Sequence, residues 1–508
     1  LSGSNLDWDY KTEPDPSYCL SSLNGSCSWP RGKVLGGSST INGLIYTRGY
    51  PEDYDRWAKA GSAGWSYKNL LPFFKMSEDI LAPEVRKLPN FEKYHGTAGF
   101  LKIDSYENTS FSNLISSVLA DRGIKTFDDV NRIKSPGYFN MQGTMANGQR
   151  YSCSKAFLKP FENRTNLRIS KNSFVTKLLI KNKTAVGVEF IKDSKIFHVR
   201  AKKEVILSAG TIESPKLLML SGIGPREHLE KFGINVIEEL PVGENLQDHL
   251  WTNGILFTVN ASTPATNMLD ETYKYFTTFT GSLKGTFNAA FLKVASSVVP
   301  DIEVFFALIN ANQTASLYGE GLASEVVASL VDIVSRSSVL RLNLFQLRPK
   351  SVGRILLQSK NPMDHPRIFP GYLTNPVDVR VYLKAVRFLT NLTQTKTMRS
   401  INGTLAKLKI SACEKHEFNS NGYWVCILRH TGRSIYHPVG TCKMGSKYDP
   451  STVVDPNLRV KGIKNLRVVD ASVMPTIPSA HTLAAAVMIG EKGAAMIKKA
   501  WENPTTRI

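Results

Sequence analysis

Val205-Ile206-Leu207-Ser208-Ala209-Gly210-Thr211-Ile212-Glu213-Ser214-Pro215-Lys216-Leu217-Leu218-Met219-Leu220-Ser221-Gly222 reads as a buried strand, a tight turn and a helix. Val205 to Leu207 is continuously apolar, as expected of a strand covered on both faces. Ser214 is placed as the helix cap with Pro215 at the first helical position, and Ser221-Gly222 offers a left-handed stop. Strand, turn and helix make a dinucleotide-binding unit, or else an ordinary βα unit of an open sheet.

Before this unit, Leu167-Arg168-Ile169-Ser170, Val175 to Ile180 and Val186 to Phe190 predict a small antiparallel meander separated by Asn, Lys and Gly turns. After it, about Leu250 to Arg433 mixes aromatic strands, helical stretches and proline turns and reads as a separate lobe. The βα pattern resumes with Leu466-Arg467-Val468-Val469-Asp470 and an Ala-rich helix from about Thr482 to Lys498. The first domain is therefore expected to be discontinuous. Residues 1–250 form its N-terminal part, 251–434 a substrate-binding domain, and 435–508 a segment that completes the first domain.

At 508 residues the chain exceeds one ordinary hydrophobic core, which suits two domains. Its formal charge of +20 invites a polyanion partner. Lys and Arg are spread along the whole chain, however, and no nucleic-acid module is visible, so none is expected. Leu322 to Val334, among the longest apolar stretches, carries Glu325 and Asp332 and is too short to span a bilayer. Eight Asn-x-Ser/Thr sequons, at Asn24, Asn108, Asn163, Asn182, Asn260, Asn312, Asn391 and Asn402, favour the secretory route. The six cysteines suit it too, with Cys19/Cys27 and Cys413/Cys426 spaced to staple loops and Cys153 and Cys442 expected as free, buried thiols. No zinc site is expected, because neither Cys-x-x-Cys nor a close His/Cys set occurs.

The chemistry is carried by two histidines. His437 lies in Ile435-Tyr436-His437-Pro438-Val439-Gly440-Thr441-Cys442-Lys443-Met444-Gly445, and His481 in Pro478-Ser479-Ala480-His481-Thr482. A neutral imidazole can take the hydroxyl proton of an alcohol. No side chain accepts a hydride, so a cofactor is implied. Gly32-Lys33-Val34-Leu35-Gly36-Gly37-Ser38-Ser39-Thr40-Ile41-Asn42 sets two glycines before hydroxyls, which lets backbone approach a bulky anion.

The whole stretch Gly32 to Asp55, with Asn42, Tyr46 and Gly49 at matching intervals, resembles the first signature of the glucose-methanol-choline (GMC) flavoprotein oxidoreductases. Gly210 to Gly224 resembles the second. Pro241-Val242-Gly243-Glu244-Asn245-Leu246-Gln247-Asp248-His249, Leu347-Arg348-Pro349-Lys350-Ser351 and the His437 run also match family elements in order. The two outer cysteine pairs are most similar to the secreted insect branch, which includes glucose dehydrogenase-like enzymes and salicyl alcohol oxidases. Family members begin with a strand, a Gly-x-Gly-x-x-Gly turn and a helix, whereas Leu6-Asp7-Trp8-Asp9-Tyr10 resembles sequence downstream of that element. The resemblance thus implies an α/β chain, α+β overall, with a Rossmann-like FAD-binding domain lacking its first βαβ element. A substrate-binding domain with an antiparallel sheet and flanking helices is expected beside it.

The resemblance further implies FAD as cofactor, with Val34, Ser38 and Asn42 at flavin-contacting positions, Val175 at an adenine contact, and Asp470 and Ala471 beside the ring. It implies oxidation of an alcohol CH–OH to an aldehyde or ketone, His437 as general base and His481 as the group positioning the substrate oxygen. The positive end of the helix after His481 is expected to disfavour a second proton on that ring. Oxygen or a quinone is the expected electron acceptor, and Tyr138, Trp424 and Tyr436 are candidates to shape the pocket. A hydroxynitrile lyase and a catalytically silent secreted paralogue or fragment are the alternatives.

Overall fold

In the computed structural model, which describes residues 3–132, 135–263, 267–295 and 298–502, Val205–Leu207 pairs in parallel with Leu466–Val468. Residues 503–508 of the expected 435–508 segment lie outside the described residues. The strand is covered on one face rather than two, because Ile206 is 37% exposed while Leu207 enters the core.

The following helix runs over Gly210–Leu220, starting before the expected cap, with Pro215 inside it. A proline there leaves the carbonyl four residues back, that of Thr211, without its N–H partner. The Thr441 hydroxyl donates to that carbonyl at 2.6 Å and replaces the lost bond. Ser214 is correspondingly no cap; its hydroxyl donates to Asp470.

The meander consists of Phe174–Lys181, Thr184–Lys192 and Lys195–Arg200. Leu167 to Ser170 is not a strand, and Leu167 and Ile169 are exposed with nothing to pair against. The third strand escapes a periodicity reading because all six of its residues are exposed. It is held by its ladder and by Phe197 stacking on Phe190 directly across the register, ring centroids 5.4 Å apart.

Two principal cores follow from this chain path. The first joins Trp57, Leu70 and Phe74 to Leu217, Leu218 and Met219 of the Gly210–Leu220 helix, and to Ala484, Ala485, Met488 and Ile489 of the Thr482–Glu502 helix. The second lies under an antiparallel sheet whose central strands are Leu250–Val259, Ser338–Gln346, Ile302–Ile309 and Asn288–Leu292. Period-two alternation splits this sheet. Ile302, Val304 and Phe306 face helices Ser324–Val334, Pro376–Thr390 and Asn421–Thr431, while Glu303 and Phe305 face the other way, Glu303 toward His481 and Phe305 toward a smaller cluster that includes Ile45, Phe291 and Phe345.

The expected boundary at residue 250 does not coincide with the sheet. Gly137–Asn140 pairs with Asn288–Leu292, Thr126–Phe127 pairs with Gly137–Asn140, and Ile115, Val118 and Leu119 of Ser110–Ala120 join the second core. Cys19–Cys27 and Cys413–Cys426 are disulfide-bonded. Of the free thiols Cys442 is buried, but Cys153 is only half-buried. No helix among the described residues is long and apolar enough to cross a membrane.

Candidate active site

Three consecutive residues, Gln247, Asp248 and His249, hold both catalytic candidates in place. The His437 backbone N–H donates to Asp248 Oδ1 at 2.8 Å, and Asp248 Oδ2 accepts from the hydroxyls of Ser434 and Tyr372. His249 Nδ1 meets His437 Nδ1 at 3.0 Å, with the rings nearly perpendicular at 82°. Gln247 accepts from the Ile477 N–H at 3.1 Å and donates to the Pro475 carbonyl at 3.2 Å, which fixes the loop leading to His481. On the other side, Arg31 Nη2 donates to the Tyr436 carbonyl at 2.6 Å.

His481 is fixed from the first core. Its backbone N–H donates to Thr47 Oγ1 at 2.9 Å, and both the N–H and the hydroxyl of Ser479 donate to the buried Asp53. Its ring stacks on Phe305, centroids 5.7 Å apart and 8° from parallel, with Phe345 edge-on at 5.9 Å. The His437 and His481 rings come to 4.7 Å. His481 Nε2 is buried without a hydrogen bond, 3.4 Å from the carboxyl of Glu303, which is fully buried and likewise unbonded.

Burial governs the charges. It pushes His249 and His481 down to about 3 and, with the two neighbouring imidazoles and Arg31, holds His437 well below the usual histidine value. Burial likewise raises the Glu303 carboxyl well above the ordinary carboxylate value, which favours its protonated form beside His481. Burial lowers the His481 ring in the same direction as the helix that follows it was expected to. At neutral pH the site is therefore a set of uncharged imidazoles, one of which can act as a base.

Both histidines line a cavity of about 620 Å³, within the range of ordinary ligand sites of roughly 300–1,000 Å³. Its walls fit a bulky, polar-edged cofactor. Gly37 and Gly210 line it with φ of +55° and +84°, and a Cβ added at either would meet no protein atom within 4 Å, only cavity. Ser38, Asn42, Asp470 and Ala471 are on the wall as expected, whereas Val34 and Val175 are not. The Val175 side chain packs against the first core, while the adenine contact expected of it is a backbone one. Tyr436 lines the cavity, but Tyr138 and Trp424 are buried in the second core, with the Tyr138 hydroxyl bonded to Asn288.

Asp470 joins the two ends of the cofactor wall. Its Oδ2 accepts from the Gly210 N–H at 2.9 Å and the Ser214 hydroxyl at 2.5 Å, and its Oδ1 from the N–H and hydroxyl of Ser472. Asp470→Ala strands four donors, Ser214 and Ser472 being fully buried. It should cost about 2–4 kcal/mol by the usual penalty for unmet buried groups. Thermal unfolding and the flavin-to-protein absorbance ratio, both expected to fall, check this.

Residues 17–251 and 349–490 match the family models described as GMC oxidoreductase. The chain belongs to that family. As a GMC oxidoreductase it is an FAD-dependent enzyme acting on CH–OH donors. It is 38% identical over 518 residues to the glucose dehydrogenase [FAD, quinone] of Drosophila pseudoobscura pseudoobscura, covering 100% of this chain and 80% of that protein. It is 35% identical over 508 residues to the ecdysone oxidase of Bombyx mori, covering 98% and 75%. Among solved structures, pyridoxine 4-oxidase from Mesorbium loti superposes with a TM-score of 0.80 at 26% identity, covering 98% of this chain and 90% of that one.

Two parts of this GMC oxidoreductase site were not assigned from the sequence. His249 sits at the end of a quoted family element, yet only its contact with His437 gives it a role. Glu303 left a signal, a lone acid in the apolar strand Ile302-Glu303-Val304-Phe305-Phe306-Ala307-Leu308-Ile309, but only the register places it beneath His481.

Proposed function

We propose that this GMC oxidoreductase oxidises an alcohol carried on an apolar or aromatic body, with His437 as general base and His481 as the group that orients the hydroxyl. The observation that carries the reading is the pair of neutral imidazoles 4.7 Å apart on the cavity wall. Beside them Ile45, Trp251, Phe287, Phe305 and Ile435 make an apolar and aromatic wall whose one hydrogen-bonding side-chain group is the Trp251 indole N–H, a poor match for the many hydroxyls of a free sugar. Gly37, Ser38, Asn42, Gly210, Asp470 and Ala471 are the residues that would hold FAD.

The chemistry FAD supplies when bound is acceptance of the hydride from the carbinol carbon. The chain does the rest. His437, uncharged because it is buried, takes the hydroxyl proton. Asp248 holds its backbone, and Thr47, Asp53 and Gln247 hold the loop that presents His481. The aromatic wall excludes water from the reacting carbon. A quinone or oxygen serves as the final electron acceptor.

Secretion and glycosylation belong to the same proposal. The asparagines of all eight sequons are exposed, and two disulfides suit an oxidising compartment. Full-length protein recovered from the medium of secreting cells should lose mass on deglycosylation and carry flavin absorbance that apolar primary alcohols bleach anaerobically. A flavin that resists every apolar and aromatic alcohol but is bleached by hexoses would overturn the substrate assignment.

A further inference from the structure

His249 is fully buried, and both of its ring nitrogens are engaged. Nε2 lies 3.0 Å from the Leu347 carbonyl oxygen, which can only accept, so Nε2 carries a hydrogen. Burial keeps the ring uncharged, and a neutral imidazole has a single N–H. Nδ1 is then a bare acceptor, and the facing Nδ1 of His437, 3.0 Å away, must be the donor. With its one hydrogen on Nδ1, neutral His437 has its lone pair on Nε2. No described protein group hydrogen-bonds that nitrogen, and the side chain lines the cavity.

We propose that His249 is a positioning residue that fixes the tautomer of His437, presenting Nε2 to the alcohol as an acceptor. This role rests on His437 being the base. Without an acceptor at His249 Nδ1, the His437 hydrogen is free to sit on Nε2, and a ring in that form meets the hydroxyl as a donor and cannot take its proton. When His437 has taken the proton it is an imidazolium with hydrogens on both nitrogens. Its Nδ1–H still has the His249 lone pair, which offsets part of the burial cost. The chain of contacts ends on a backbone carbonyl, so the proton has no exit through His249 and returns by way of the cavity. His249 is a fixed acceptor and not a shuttle.

The test compares two replacements in the FAD-loaded full-length enzyme by anaerobic stopped-flow reduction with saturating alcohol. His249→Phe fills the space but offers no acceptor, and should slow reduction about 10–100-fold, the usual scale for losing a group that orients a catalytic ligand. Apparent alcohol affinity and flavin content should hardly change. His249→Asp offers only an acceptor near the lost Nδ1 and should recover most of the rate. In a His437→Ala background, His249→Phe should add no further loss, since it acts only through that ring.

A normal rate for His249→Phe beside a slow His437→Ala overturns the His249 role alone. Equal further slowing by His249→Phe in the His437→Ala background does the same, because the effect is then only structural. A near-normal His437→Ala overturns the base assignment and this role with it. Should His249→Phe not take up FAD, His249→Leu serves as the acceptor-free variant, with the same expected and overturning results.

Discussion

Replacing His437 by alanine should slow reduction of the bound flavin by alcohol about 10³-fold, the middle of the usual range for a positioned general base. Flavin content should be retained, because no group that holds Gly37, Gly210 or Asp470 is removed. The Asp248 contact runs to the His437 backbone and survives the change. The loss should therefore appear in the reduction rate and leave apparent alcohol affinity nearly untouched, the pattern of an interaction made as the proton moves. Wild-type reduction has a matching pH signature. Burial holds His437 well below the ordinary histidine value, so the base is already deprotonated at pH 6.5 and the acid limb of the rate profile should lie well below it. An acid limb at or above pH 6.5, or His437→Ala within a few-fold of wild type, refutes the assignment.

Glu78→Gln should destabilise the protein by about 3–5 kcal/mol, the cost of breaking a buried ion pair from one side. Arg48, Glu78, His95 and Asp129 are all buried and form one network. Arg48 Nη2 donates to Glu78 at 2.5 Å, and His95 lies between Glu78 and Asp129. Removing the Glu78 charge leaves the Arg48 guanidinium buried without a counter-charge. The next residue is Thr47, whose hydroxyl holds the His481 backbone, so activity should fall along with stability.

The pH dependence of this network has a definite sign. Burial alone would raise Glu78, but Arg48 and His95 outweigh it and hold the carboxyl below its usual range; Asp129 is held down likewise by His95. Their contribution is present above the ordinary carboxylate value and is lost as pH falls through the depressed folded values. Burial would lower His95, but Asp129 and Glu78 raise it, so its share is complete below its unfolded value and fades as pH rises through the raised one. Denaturant melts of wild type and Glu78→Gln across pH should converge toward acid. A constant difference down to pH 2 would contradict the assignment.

The histidine pair, the glycine turns and Asp470 were readable because short motifs carry their chemistry in adjacent residues. Contacts between distant segments were not readable. Nothing in the composition distinguishes Trp424, buried among helices, from a pocket wall. The helix start at Gly210 was hidden because the hydroxyl that makes Pro215 tolerable comes from Thr441, far along the chain. Glu303 gained its meaning from strand register, which sets Phe345 opposite it and turns both toward His481.

The run Gln247-Asp248-His249 has a consequence for how alcohol and product come and go. It grips the His437 segment and the loop before His481, while His481 itself is pinned between the Thr47 hydroxyl and the Phe305 ring. Moving the sheet of the second core away would take Phe305 and Phe345 from the His481 ring, so that imidazole would lose part of its support. A route that leaves those supports in place runs past Tyr436, which lines the cavity and is itself 38% exposed.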